Sequence, residues 1–264
     1  MADSNGSFIW YELMTKDPDS AKRFYDSVVG WNIDAEPSGE MDYRMIVAGD
    51  GKNVGGVMRL TEEMTDGGAH PIWMGYLAVD DVDAAIASIE AEGGKTLMPA
   101  TDMPNIGRIA MIADLHGAPM YIMRPTPPAS NPDATSDAYS PTEPGHVAWN
   151  ELTSPSQSKS LDFYAGQFGW EKGEVMPMGS MGEYQFINQG GEMIGGIMPD
   201  MPDQRPMWKY CFGVPVVDDA MDAIKAGAGR VISGPDEVPN GRHVVGATDP
   251  EGVEFMVVGA RRPH

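Results

Sequence analysis

The sequence predicts an α+β fold of four tandem βαβββ modules, and three observations support this prediction. The chain of 264 residues repeats itself, because the segment from Phe8 and the segment from His146 carry matching residues in the same order. Each copy contains two halves, in which a short aromatic-rich strand pattern is followed by a helical pattern and further strand patterns. A segment rich in proline and serine separates the copies. Together these features indicate a duplicated supersecondary unit.

The duplication is indicated by pairs of matching residues along the two copies. The pairs include Trp10 with Trp149, Glu12 with Glu151, Phe24 with Phe163, Tyr25 with Tyr164, Gly30 with Gly169, Trp31 with Trp170, Gly55-Gly56 with Gly195-Gly196, and Asp114 with Asp249. We expect modules at about 7–65, 70–125, 145–204 and 205–260, and domains at 7–125 and 145–260. The linker at 126–144 is predicted to be extended, because proline-rich segments are stiff and adopt extended conformations.

The first helix of each copy has recognisable ends. Asp17 is placed to cap a helix that opens with Pro18, where the missing N–H costs nothing. In the second copy Ser154 takes this role, with Gln157 as a possible capping-box partner. The glycines that suit a left-handed helix stop are Gly30 and Gly169.

The second helix of each copy has one apolar face that can pack on a sheet. These faces comprise Val82, Ala85, Ile86 and Ile89 in the first copy and Val217, Ala220, Met221 and Ile224 in the second. Strands are predicted at Phe8–Leu13, Tyr43–Val47, Ile109–Ile112 and Met120–Met123. Each module is expected to form a sheet of three or four strands with its helix on one face. Two such sheets placed edge to edge curl into a half-barrel whose concave face is available to a ligand.

Composition excludes several classes of function. The formal net charge of −21 repels phosphate backbones and anionic lipid, so we expect no nucleic-acid or membrane partner. No apolar run reaches the length of a membrane span and no signal sequence is evident. Cys211 is the sole cysteine, which favours a cytoplasmic location.

Three motifs resemble signatures of the vicinal-oxygen-chelate superfamily, which includes glyoxalases, bleomycin resistance proteins and dioxygenases. They are the Asp-Pro-Asp-Ser-Ala segment leading to Phe24-Tyr25, the Val-Asp-Asp-Val-Asp run at 79–83, and the Asp-Pro-Glu-Gly turn at 249–252. The resemblance covers nearly the whole chain except the linker and the ends. It implies two glyoxalase-like half-barrel domains in tandem, each able to hold a small molecule.

The resemblance also places the metal ligands of the metal-dependent members. In this sequence those positions are Trp10, Met58, Met74 and Tyr121 in the first copy and Trp149, Met198, Lys209 and Met256 in the second. None offers the imidazole or carboxylate that a hard or borderline divalent ion needs. The expectation is therefore no metal and no cofactor. Of His70, His116, His146, His243 and His264, which show no mutual ligand spacing, His146 and His243 are placed to approach the second cavity.

Other side chains then become candidates for the site. Glu12 shares a strand face with Trp10, and Glu151 with Trp149, so either carboxylate is a candidate general base or a structural acceptor. The ligand-binding candidates are Tyr43, Tyr76, Tyr184 and Cys211, together with all eight residues at the chelating positions named above.

Three functions stay open from the sequence. The first is a protein that binds a small apolar or aromatic organic molecule in metal-free pockets, as drug-resistance members do. The second is a glyoxalase-type lyase or isomerase that acts next to a carbonyl, with Glu12 or Glu151 as general base. The third is a metal-dependent lactoylglutathione lyase or dioxygenase. The expected partner is a small organic ligand or substrate, and the protein is expected to be a monomer or a homodimer.

Overall fold

A computed structural model describes residues 3–37 and 39–263, and it contains two eight-stranded mixed sheets. Residues of the first copy form the first sheet, in the order β2 (Asn32–Ile33), β3 (Tyr43–Val47), β4 (Asn53–Arg59), β1 (Phe8–Thr15), β5 (Ile72–Ala78), β8 (Pro119–Pro125), β7 (Gly107–Ala113) and β6 (Lys95–Met103). The helices of this copy are α1 (Pro18–Val29), α2 (Glu62–Asp66) and α3 (Val82–Ala91).

The second sheet repeats the same order with strands of the second copy. It runs β10 (Glu171–Pro177), β11 (Glu183–Gln189), β12 (Glu192–Ile197), β9 (Val147–Thr153), β13 (Met207–Val216), β16 (Glu254–Ala260), β15 (His243–Thr248) and β14 (Arg230–Glu237). Helices α4 (Gln157–Phe168) and α5 (Val217–Ala226) and a short 3₁₀ turn at Gly179–Met181 complete this copy. The predicted α+β fold with four βαβββ modules is confirmed, and α2 is an addition between the first two modules.

The first helix of the first copy begins and ends as predicted. The Asp17 side chain accepts a hydrogen bond from Ser20 N at 3.0 Å, and Pro18 occupies the first turn. Gly30 ends the helix with φ of 84°, a left-handed conformation that glycine adopts without steric cost. Gly169 ends α4 in the same way.

The predicted start of α4 is wrong. The helix begins at Gln157 after Ser156, whose side chain makes no capping hydrogen bond. Ser154 is engaged elsewhere, because its hydroxyl lies 2.7 Å from Ser160 Oγ. The Gln157 amide donates to the carbonyl oxygens of Glu183 and Ile197, so it ties the helix start to two strands and forms no capping box.

The chain forms two compact units, and each unit contains modules from both copies. The first unit comprises the described residues up to Ile9, then Gly75–Ser136 and Asn150–Trp208. The second comprises the described residues of Trp10–Met74, then Asp137–Trp149 and those from Lys209 onward. The second and third modules therefore share one unit, and the first and fourth share the other. The domain bounds drawn from the sequence remain a prediction.

A buried hydrogen-bond chain joins the two modules within the second unit. Trp73 Nε1 donates to the Tyr25 hydroxyl at 2.9 Å, and that hydroxyl donates to Asp249 Oδ2 at 3.2 Å. Asp249 also accepts from the backbone N–H groups of Glu251 and Val253. Burial raises the pKa of the Asp249 carboxyl above its usual value, and it also raises that of the Tyr25 phenol.

The first unit contains the matching chain. Trp208 Nε1 donates to the Tyr164 hydroxyl at 2.9 Å, and Tyr164 donates to Asp114 Oδ2 at 3.1 Å. The tyrosine of the Phe-Tyr motif and the aspartate of the last turn are thus structural partners in both units. This pairing gives both motifs the same structural role in each unit.

Part of the predicted linker is packed in the second unit. Ala138 is 0% exposed, and Tyr139 forms a β-bridge with Val147. His146 Nδ1 lies 2.5 Å from the carbonyl oxygen of Asp137, and His146 Nε2 lies 3.2 Å from Asp50 Oδ2. The proline-rich composition did not indicate these contacts. Within the described part of the chain, no helix has the length and apolar content of a membrane span.

Candidate functional site

The first candidate cluster lies in the second unit, on strands β1, β3 and β4. Trp10 is half-buried, and its Nε1 donates to the Tyr43 hydroxyl at 2.8 Å. Glu12 lies two residues further along β1, on the same face as Trp10, and is 2% exposed. The strand register pairs Glu12 with Gly56 and Tyr43 with Met58. The structure therefore brings four of the predicted site residues into one neighbourhood.

Gly56 makes this arrangement possible. A Cβ placed on Gly56 would overlap the hydroxyl end of Tyr43, so the tyrosine ring lies directly over the glycine backbone. Since Gly56 is the register partner of Glu12, the ring extends across β4 toward the strand that carries the carboxylate. The recurrence of the Gly-Gly pair in both copies is the sequence signal for this role of Gly56, which was not predicted.

The corresponding cluster of the second copy, in the first unit, contains a tyrosine–glutamate hydrogen bond. Tyr184 lies over Gly196, which is the register partner of Glu151, and its hydroxyl donates to Glu151 Oε2 at 3.1 Å. Glu151 is partly exposed, whereas Glu12 is buried. Phenol and carboxylate are thus directly paired in the second copy, an arrangement able to hold or transfer a proton.

Tyr76 and Tyr121, in the first unit, stack on each other. Their ring centroids are 4.3 Å apart with an interplanar angle of 21°, and the parallel strands β5 and β8 place them in register. Both rings are buried. The sequence predicted each as a ligand-binding residue but gave no indication that they contact each other.

The positions that match these tyrosines in the fourth module carry Cys211 and Met256, which are register partners on β13 and β16 in the second unit. Cys211 is buried in an apolar cluster with Ala148 and Val258, and this cluster packs against Trp149, Val238, Val244 and Met256. We call the fourth-module members of this set, Cys211, Val238, Val244, Met256 and Val258, the fourth-module face, and Trp149 packs beside it.

An ion pair adjoins the fourth-module face. Lys209 Nζ lies 2.5 Å from Glu254 Oε2, with the side chains 20% and 37% exposed. Lys209 precedes Cys211 by two residues on β13, and Glu254 precedes Met256 by two residues on β16, so the pair extends the same face of the sheet. Glu254 was not among the predicted site residues.

The side chains at the family's chelating positions do not fit a divalent metal ion. Trp10 uses its indole N–H on Tyr43, and Lys209 is an ion-paired ammonium. Met58 and Met74 are buried, and Met198 is partly buried. Thioether, indole and ammonium groups are poor ligands for such ions. Among residues 3–37 and 39–263, no group of three or more His, Cys, Asp or Glu side chains is arranged to hold a metal.

The two histidines expected near the second cavity have other surroundings. His146 contacts Asp137 and Asp50, as described above. His243 precedes Val244 on β15, so its side chain points to the face opposite Val244 and the fourth-module face. The expectation for His243 is therefore wrong. His264 lies outside the described residues.

The fold and the repeated clusters define a tandem α+β protein in which four βαβββ modules form two mixed sheets. The model of the glyoxalase/bleomycin resistance protein/dioxygenase superfamily matches residues 7–120 and 144–257, and this chain belongs to that superfamily.

Relatives and solved structures agree with this assignment. The chain is 32% identical to "Putative glyoxylase CFP32" of Mycobacterium tuberculosis over 94% of this chain and 93% of that protein. It is 26% identical to "Anthracycline biosynthesis protein DnrV" of Streptomyces peucetius, over 98% and 95%. Its fold is similar to that of the Mn(II)-bound glyoxalase from Novosphingobium aromaticivorans, with a TM-score of 0.64 and 19% identity over 98% of this chain and 84% of that one. It is also similar to the 2,3-dioxygenase LapB from Pseudomonas sp. KL28, with a TM-score of 0.63 and 14% identity over 99% and 95%.

Proposed function

We propose that this chain binds small apolar or aromatic organic molecules without using a metal ion. The observation that carries the proposal is the chemistry at the family's chelating positions, which hold indoles, thioethers, a phenol and an ammonium group. Such side chains offer apolar and aromatic contact area instead of metal ligands. The proposal extends to a small organic molecule as the partner, a cytoplasmic location, and a monomer or homodimer.

The candidate clusters supply suitable contact surfaces. Trp10 is fixed through its hydrogen bond to Tyr43, and Trp149 packs beside the fourth-module face. Both indoles are only half-buried, so part of each ring is available to a ligand. A fixed aromatic ring loses little conformational entropy on binding, which favours affinity. The relationship to a protein named for anthracycline biosynthesis supports an organic ligand.

Fluorescence titration with the uncharged dye N-phenylnaphthylamine tests the proposal. We expect saturable binding by protein that has been purified with a chelator, because no metal is required. Trp10→Ala and Trp149→Ala should each weaken binding. The matched control Met181→Ala should not, since Met181 is 58% exposed and lies outside the candidate clusters. Absence of saturable binding, or binding that disappears with chelator and returns with manganese, would overturn the proposal.

A second candidate function rests on the Tyr184–Glu151 hydrogen bond. A partly exposed carboxylate paired with a phenol could remove a proton from the carbon next to a carbonyl group and return it at another position. Glu151 would act as the base, and the Tyr184 hydroxyl would stabilise the resulting carboxyl group or the substrate oxygen. This is lyase or isomerase chemistry of the glyoxalase type.

Hydrogen–deuterium exchange at the carbon next to the carbonyl of small ketones and aldehydes, followed by NMR, tests this second function. Glu151→Gln should abolish protein-catalysed exchange, whereas Tyr184→Phe should slow it without abolishing it. Glu192→Gln, which makes the same charge change at an exposed position of β12, is the matched control. Exchange no faster than that in buffer would eliminate the second function and leave the binding proposal standing.

A further inference from the structure

The second module, in the first copy, and the fourth module, its counterpart in the second copy, carry different side chains at matched positions. In the second module, two stacked aromatic rings, Tyr76 and Tyr121, occupy the register pair on adjacent parallel strands. In the fourth module the same pair is Cys211 and Met256, which are smaller or more flexible. Because Tyr76 and Tyr121 stack on each other, each ring covers one face of the other. In the fourth module Cys211 is buried, and the partly exposed Met256 instead provides an adaptable apolar floor beside Trp149.

Charge differs at the neighbouring matched position as well. The first copy has Met74 there, which is 1% exposed and uncharged. The second copy has Lys209, whose ammonium is paired with Glu254 and whose side chain is 20% exposed. A lysine ammonium has three donor hydrogens, and Glu254 Oε2 accounts for one contact at 2.5 Å. In a chain of net charge −21, a cation beside an apolar floor is a distinctive feature.

We infer that the fourth-module face takes organic anions, with aromatic rings on the Met256 floor beside Trp149 and the anionic group on Lys209. This inference rests on the proposed function of small-molecule binding and names the ligand class and the module that recognises it. The ligand would carry a carboxylate, sulfonate or phenolate on an aromatic ring system. Glu254 then limits affinity, because it competes with the ligand for the ammonium and repels its charge.

This role of Glu254 separates anion recognition from simple charge neutralisation. If Lys209 served only to neutralise Glu254, removing the Glu254 charge would not improve ligand binding. If Lys209 receives the anionic group, Glu254→Gln releases the ammonium and removes a repulsive charge, so affinity should rise. Two substitutions in one ion pair should therefore change affinity in opposite directions.

The experiment compares two dyes that share aromatic rings and differ in charge: anilinonaphthalene sulfonate, an anion, and the uncharged N-phenylnaphthylamine. Lys209→Met, which introduces the residue found at the matching position of the first copy, should weaken sulfonate binding by about tenfold and change binding of the uncharged dye less than about twofold. Glu254→Gln should tighten sulfonate binding by about threefold or more. Lys225→Met gives the same change in net charge on an exposed position of α5 and should leave both affinities unchanged.

The outcomes distinguish this inference from the proposed function. If both dyes bind but sulfonate affinity is equal in the Lys209→Met and Lys225→Met variants, or falls in Glu254→Gln, the inference is wrong and the binding function stands. If neither dye binds saturably, the proposed function fails and the inference fails with it. Cys211→Tyr, which copies the first-copy residue, should weaken binding of both dyes. Circular dichroism shows whether that variant is folded, and the Lys209 and Glu254 variants decide the question if it is not.

Discussion

Replacing Tyr25 with phenylalanine removes a hydroxyl that accepts from Trp73 Nε1 and donates to Asp249 Oδ2 in the second unit. The buried indole N–H loses its acceptor, which costs about 1–3 kcal/mol. The Asp249 carboxylate loses the Tyr25 hydroxyl as a donor but keeps the backbone N–H groups of Glu251 and Val253. Losing a hydrogen bond to a charged group costs about 1.5–3 kcal/mol, and because two donors remain, we expect a cost at the low end of this range. Tyr25→Phe should therefore lower the free energy of unfolding by about 2.5–4.5 kcal/mol.

The same substitution should have a pH dependence of known sign. Burial raises the pKa of the Asp249 carboxyl above 3.8 in the folded protein, and the Tyr25 hydrogen bond partly opposes this rise. A carboxyl with a raised folded-state pKa favours folding when it is protonated, and this contribution is lost as pH rises through that pKa. Tyr25→Phe raises the pKa further, so the stability deficit of the variant should be larger at neutral pH than near about pH 4.

Urea unfolding followed by tryptophan fluorescence at both pH values measures these differences. Tyr164→Phe is the matched variant, because Tyr164 makes the same two hydrogen bonds in the first unit. It should lose a similar amount of stability at neutral pH. A loss below about 1 kcal/mol for Tyr25→Phe would show that these hydrogen bonds do not stabilise the packing of the first module with the fourth. A deficit that grows toward acid pH would refute the assigned role of Asp249.

Three further predictions concern local structure, and thermal or urea unfolding tests each of them. Asp17→Ala should destabilise the protein by about 1 kcal/mol because it removes a side-chain helix cap, whereas Ser156→Ala should have almost no effect because Ser156 makes no such bond. Gly166→Ala should stabilise the protein by about 0.5–1 kcal/mol, since Gly166 lies inside α4 and nothing is within 4 Å of an added Cβ. Gly56→Ala should destabilise it by about 1–3 kcal/mol and weaken dye binding, because the new methyl group displaces Tyr43. A stabilising Gly56→Ala would show that the tyrosine is not fixed over the glycine.

Local rules predicted much of the fold because the two copies repeat the same short-range signals. Asp17 and Gly30 mark the ends of α1 through interactions within a few residues, and both were identified correctly. The start of α4 was misplaced because Ser154 bonds Ser160 and Gln157 bonds two strands, and neither preference is visible in a short sequence window.

The candidate site was harder to predict because its contacts are non-local. Strand alternation correctly placed Trp10 and Glu12 on one face, and the repeat correctly matched Cys211 with Tyr76. The stacking of Tyr76 on Tyr121 and the pairing of Lys209 with Glu254 depend on strand register, which connects residues 45 positions apart in each case. No pattern within one strand specifies such a register.

Each compact unit contains modules from both copies, so cutting the chain between the copies would divide both units. A cut in the segment between the copies would leave Tyr25 on one fragment and Asp249 on the other, and it would separate Asp114 from Tyr164 in the same way. The two fragments should therefore be unstable alone and complement each other when they are co-expressed.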